Sequence, residues 1–252
     1  MATQSIGHLR ETEAAPSGVC AHLVTLRLEG TLTAEALAEL REWREEQLQL
    51  TPPEPLLAQR YRQRIAQRFF AEYDRLLNEN RRVESLAHCR VAAMLRRELL
   101  RPRGGYRLLA YAILPGHLHL VVATPPPSVD LGSPLGRAAS IPNPAPVPLR
   151  MDEWPDAASP LVDFLRQVKE DTQAAARELS EIGGVLRWAG ASFDYWIGSP
   201  MELLAVVEYV ADDPVAAGLV RSREQWFFSS AHERFLWDGT LSGWMPGTES
   251  LP

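Results

Sequence analysis

The chain has 252 residues, 46% of them apolar and 23% charged, a globular composition long enough for one large domain or a core domain with additions. No apolar run approaches the ~20 residues that cross a bilayer, which excludes a membrane-spanning class. The net charge of −6 weighs against a nucleic-acid partner, but the charge is uneven: residues 56–107 hold 13 Arg against 5 acids, a local +8 that leaves −14 elsewhere.

The opening residues, 1–19, lack a charged-then-apolar signal pattern and predict a short disordered tail. "CAHLVTLRLEG" (20–30) alternates and is rich in Val, Leu and Thr, so it predicts a strand. Thr33 precedes a helical run that "TPPEP" (51–55) breaks. Residues 56–80 predict a strong helix, with Tyr61, Ile65, Phe69, Tyr73 and Leu76 spaced by four and three. Residues 83–99 predict another. Two strand-like runs, 106–114 and 117–124, flank Pro115-Gly116 and predict a hairpin.

The proline-rich stretch 125–159 predicts a mobile loop or linker. An amphipathic helix over 160–182 stops at Gly183-Gly184, and 191–198 predicts a short strand. Ser199, Pro200 and Glu202 have capping-box spacing at the head of a helix that must end near Pro214. A compact aromatic segment follows, then a C-terminal tail from 232 to 252. Taking the inserted helices (34–101) as one layer, the order is βαββαβ. It predicts an α+β, ferredoxin-like antiparallel sheet with helices on one face, spanning residues 20–231. Cys20 and Cys89 have no metal-ligand spacing and fit a reducing, cytoplasmic setting.

His117 and His119 are the chemical signal. On a strand, residues i and i+2 point to one face, so the two imidazoles project together while Leu118 and Leu120 face the other way. Two neutral imidazoles side by side can share a divalent metal, or can equally be satisfied by hydrogen bonds on a sheet surface.

"LPGHLHLVV" (114–122) resembles the "MPNHVHLL" segment of the HUH endonucleases, specifically of the REP-associated tyrosine transposases. "CAHLVTLRLEGTL" is similar to that family's first strand, and "FFAEYDRLLNENRRVESLAHCRVAAMLRREL" to its inserted helical pair. "WAGASFDYWIGSPMELLAVVEYVADDPVAAGLVRSREQWFFSSA" is similar to its C-terminal block, fDh-x-I-R, Y-I-x-x-NPV-x-AGLV and W-x-x-SSA. The resemblance implies a metal-dependent single-stranded DNA endonuclease and strand transferase. Tyr209 would be the nucleophile, forming a 5′-phosphotyrosine at hairpin-associated sites. Four residues on, where the family has an amide, stands Asp213, on the same helix face and at least as good a ligand for Mg²⁺ or Mn²⁺.

The metal set so implied is His117, His119 and Asp213. Candidate phosphate contacts are Arg60, Arg62, Arg64, Arg68, Arg81 and Arg82, with Lys169 where the family often has a basic residue. No P-loop is present, so no nucleotide cofactor is expected. The partner would be single-stranded or hairpin DNA, bound by a monomer or by a homodimer that exchanges the tyrosine helix. Trp188 and Trp196 could stack bases or simply pack.

Three positions depart from the family pattern. Gly116 stands where it has Asn, Gly198 where it has Arg, and Asp213 where it has Asn. A host-adopted protein that binds structured DNA with weak or no cleavage is the alternative these departures leave open. A metallohydrolase of amidohydrolase type would need a further His pair, and only His232 lies downstream.

Overall fold

A computed structural model of the chain describes residues 20–50, 55–80, 82–124, 160–197 and 199–232. The tails expected at 1–19 and beyond His232, and the proline-rich stretch 125–159, lie outside the described residues.

Four strands form one antiparallel sheet: β1 (Cys20–Arg27), β2 (Arg107–Ile113), β3 (His117–Thr124) and β4 (Phe193–Ile197), in the spatial order β2-β3-β1-β4. Five α-helices accompany them: α1 (Ala34–Gln49), α2 (Pro55–Glu79), α3 (Cys89–Leu99), α4 (Pro160–Ala176) and α5 (Pro200–Ala216). This is the α+β class and the strand order expected of βαββαβ. None of these helices is long and apolar enough to cross a membrane.

Side-chain alternation assigns the two faces. Val24, Leu26, Tyr111, Ile113, Leu118, Leu120 and Val122 point one way and pack on Val91, Leu95 and Leu99 of α3 and on Leu161, Leu165 and Val168 of α4. Ala21, Leu23, Ala110, Ala112, Val121 and Ile197 point the other way and pack on Leu203, Val207 and Val210 of α5. Phe193, on that second face, meets Phe69 and Tyr73 of α2. Helices therefore cover both faces rather than the single face expected. The βαββαβ core keeps α3 and α4 together on one side, and the added α2 and α5 close the other. Spacing within an isolated helix cannot say which face of a sheet it will cover.

Three local boundaries also differ. The helix expected over 83–99 divides into a 3₁₀ turn at Ser85–Ala87 and α3, and that expected over 160–182 stops at Ala176, before a 3₁₀ turn at Ser180–Ile182. α5 continues two residues past Pro214, which its last turn accommodates. Ser199 caps its start by accepting from the Glu202 amide (3.2 Å), an interaction worth about 1 kcal/mol. The Glu202 carboxylate accepts from the Tyr195 hydroxyl.

The β2–β3 turn is held from three sides. Leu114 N–H donates to His117 O (2.9 Å), Leu86 N–H to Pro115 O (3.0 Å) and Leu28 N–H to Gly116 O (3.0 Å). A Cβ at Gly116 would stand 2.8 Å from Val83 O and 2.9 Å from Thr31 Cγ2, so the glycine reflects close backbone approach. Gly116→Asn is expected to lower the unfolding free energy by about 1–3 kcal/mol in a urea titration, the usual cost of overpacking. An unchanged midpoint would show that the turn has room.

The "WFFSSA" segment protects the outer edge of β2. Trp226 Nε1 donates to Ile113 O (2.9 Å), Ile113 N–H to Phe228 O (2.9 Å), and Ser230 N–H to Tyr111 O (2.8 Å). These bonds satisfy backbone groups that an exposed edge strand would otherwise present to another chain.

Candidate metal and tyrosine site

The second face of the sheet carries the polar site. His117 and His119 share it with their β1 partners, Arg27 opposite His117 and Thr25 opposite His119. Both histidines are buried, His119 completely. Thr25 Oγ1 lies 2.8 Å from His119 Nδ1, which fixes the ring and aims Nε2 away from β1. The two imidazoles meet nearly edge to face, their centroids 4.9 Å apart.

α5 and α2 supply the remaining groups. Tyr209 and Asp213 stand one turn apart on α5, as their spacing of four requires. Asp213 is buried, with Oδ2 3.1 Å from His119 Nε2 and 3.8 Å from His117 Nε2. From α2 come Phe70, Asp74 and Asn78, again one turn apart. Asp74 Oδ1 lies 2.9 Å from His119 Nε2 and 3.7 Å from His117 Nε2. Asn78 Nδ2 donates to Asp74 Oδ2 (3.2 Å) and to Asp213 Oδ1 (3.0 Å), tying the two carboxylates together. Phe70 packs edge-on against both His119 and Tyr209. The Tyr209 hydroxyl donates to Asp74 Oδ2 at 2.5 Å.

Donor atoms of Asp74, His117, His119 and Asp213 all lie within 4.8 Å of one another. Around a tetrahedral ion with bonds of ~2.1 Å, neighbouring donors stand roughly 3.4 Å apart. The four His–Asp pairs here span 2.9 to 3.8 Å. Both ring nitrogens of His117 and Asp213 Oδ2 are buried without a hydrogen-bond partner. Buried polar atoms left unpaired cost about 1–3 kcal/mol each, more when charged. A divalent cation would satisfy His117 Nε2 and Asp213 Oδ2, the orphaned atoms that face the cluster, so the residues fit a metal.

Electrostatics agree. Burial alone would lower the His119 pKa, but the charges of Asp74 and Asp213 overcome it and raise it to about 10. Burial would raise Asp213, but His119 and His117 hold it well below the carboxylate range. Burial, then the charges of Asp74 and Asp213, pushes the Tyr209 phenol far above its ordinary value near 10, so without a cation it stays protonated.

The signs fix the pH behaviour of the metal-free protein. The His119 contribution is complete below the ordinary histidine value of about 6.5 and is lost as pH rises through about 10. The Asp213 contribution is present above the ordinary carboxylate value and is lost only in strong acid. At pH 7.5 a metal must displace the His119 proton. Calorimetric Mn²⁺ titrations in Tris and in HEPES should therefore give enthalpies that differ by the buffers' ionisation heats for about one proton. Equal enthalpies would mean that His119 is already neutral.

No family model matches the chain, and no curated protein matches it. Among solved structures, it is similar to a REP-associated tyrosine transposase bound to a REP hairpin. The two are 15% identical, with 96% of this chain and 89% of that one covered and a TM-score of 0.41.

The four residues expected to form the centre, Tyr209, His117, His119 and Asp213, come together within one chain. Asp74 was not foreseen. The available signal was a lone acid beside the buried stripe Phe69, Tyr73 and Leu77. Asp212, the neighbour of Asp213, is exposed and pairs with Arg223 (2.9 Å).

The basic residues are more scattered. Arg62, Arg64, Arg68 and Arg82 are exposed, whereas Arg81 and the Arg60 side chain lie outside the described residues. Lys169 Nζ donates to Ala189 O and Gly190 O (3.0 Å each), and burial, then the charge of Arg27, lowers its pKa to about 8. Trp188 is a core residue whose Nε1 donates to Thr172 Oγ1 (2.9 Å). Gly198 lies outside the described residues.

Proposed function

We propose that the chain is a metal-dependent single-stranded DNA endonuclease and strand transferase of transposase type, with Tyr209 as nucleophile. The observation that carries this reading is the Tyr209 hydroxyl hydrogen-bonded within a buried His₂Asp₂ cluster. A structural site would need only the four donors. A phenol held beside them adds a nucleophile.

A Mg²⁺ or Mn²⁺ ion held by His117, His119 and Asp213 would supply positive charge to the non-bridging oxygens of a phosphodiester. Thr25 keeps His119 Nε2 directed at the site. Phe70 and the half-buried phenol ring limit access of water. Tyr209 Oη attacks the phosphorus and its proton leaves along the hydrogen bond to Asp74 Oδ2. A Tyr–O–P bond forms, the P–O3′ bond breaks, and the 3′ oxygen takes a proton from water. The products are a 5′-phosphotyrosine and a free 3′-hydroxyl. Bond energy is retained, so reversal with another 3′-hydroxyl rejoins strands without a nucleotide cofactor.

A hairpin-tipped single-stranded oligonucleotide with Mn²⁺ tests this reading: a covalent protein–DNA band should appear, and EDTA should abolish it. DNA retention with no band under any divalent ion would instead favour a binding protein without cleavage. Arg64 and Arg68 are proposed to bind phosphates along the exposed face of α2. Replacing either by Ala should flatten the log–log salt dependence of binding by about 0.7. An unchanged slope in the double variant would place the DNA elsewhere.

A further inference from the structure

Asp74 lies in the middle of α2, among residues whose apolar neighbours are buried. Burying a carboxylate without charge compensation is expensive. Asp74 and Asp213 bring two carboxyl groups to one buried site, each with an oxygen facing His117 Nε2 and His119 Nε2. The two oxygens of Asp74 also face different partners. Oδ1 faces the imidazole nitrogens, and Oδ2 accepts from Tyr209 and Asn78.

We propose that Asp74 is a bridging carboxylate that completes the divalent-ion site through Oδ1 and positions the Tyr209 hydroxyl through Oδ2. This rests on the metal-dependent reading above and deepens it. The inserted helix α2 thereby becomes part of the reactive centre, and ion loading and placement of the nucleophile are coupled through one side chain. Four protein donors with two carboxylates favour Mn²⁺ over Mg²⁺, because Mg²⁺ dehydrates reluctantly and prefers to keep several waters.

The test needs no DNA cleavage. Full-length wild type, Asp74→Asn and Tyr209→Phe are titrated with MnCl₂ by calorimetry. Asp74→Asn should weaken Mn²⁺ binding at least tenfold, while Tyr209→Phe should change it less than twofold. If Asp74→Asn does not fold, Asp74→Ser is measured in its place. For positioning, protein labelled with fluorotyrosine is examined by ¹⁹F NMR, with the Tyr209 resonance assigned by its absence in Tyr209→Phe. Addition of Mg²⁺ should shift that resonance in wild type and leave it unmoved in the Asp74 variant. Wild-type Mn²⁺ affinity in the folded Asp74 variant, or an equal Tyr209 shift in both proteins, would overturn the proposal. Absence of a DNA adduct from wild type with these differences intact would count against the nuclease reading alone.

Discussion

Tyr209→Phe is expected to abolish the covalent protein–DNA adduct, with a loss exceeding about a thousandfold, while hairpin binding stays within a few-fold of wild type. The substitution removes one oxygen, and with it the only atom that could carry the phosphoryl group at this position. Phe70 and His119 would still pack against the ring. A gel resolving free from protein-linked oligonucleotide measures the first effect, and fluorescence anisotropy the second. Adduct formation by the Phe variant would assign the nucleophile to another residue.

His119→Ala is expected to act on both metal binding and stability. With His119 as a proposed direct ligand, its loss should matter more than the 10–100-fold in affinity typical of an outer partner, so Mn²⁺ binding should weaken by more than about 100-fold. In metal-free protein the same change leaves Asp74 and Asp213 facing each other without the imidazolium between them. Breaking a buried ion pair from one side typically costs about 3–5 kcal/mol. Urea unfolding in EDTA at pH 7 should show a loss of that order, shrinking as pH rises from there and gone above about 10, where wild type has lost the same charge. A variant as stable as wild type at pH 7 would show that His119 is neutral there.

The parts of this centre set by short-range geometry were legible in the chain. His117 and His119 had to share a strand face, and Tyr209 and Asp213 a helix face. The roles of Tyr209 and Asp213 came from resemblance, because a tyrosine and an acid in an amphipathic helix are ordinary by themselves. Asp74 lies far from both motifs in sequence, and its partners become neighbours only when α2 folds over the second sheet face. Its position one turn from Phe70 and one from Asn78 could have been noticed, but the reason for an acid there is tertiary. Gly116 repeats the point. The Pro-Gly turn was evident, yet the approach of Val83 O and Thr31 that excludes a side chain was not.

Gly116 and Asp213, two positions that differ from the segments this chain resembles, have different structural standing. Gly116 is explained by backbone crowding, and the turn still aims both imidazoles into the site. Asp213 places a second buried carboxyl group beside Asp74, within 4.8 Å of the imidazole donors.

The most direct measurement is peptide mapping of the protein after reaction with a hairpin oligonucleotide and Mn²⁺. Nuclease trimming followed by mass spectrometry should find the nucleotide-bearing peptide to be the one containing Tyr209, with the phosphate on its phenol oxygen. A nucleotide on any other residue, or none under conditions where Mn²⁺ and DNA are both bound, would contradict the account.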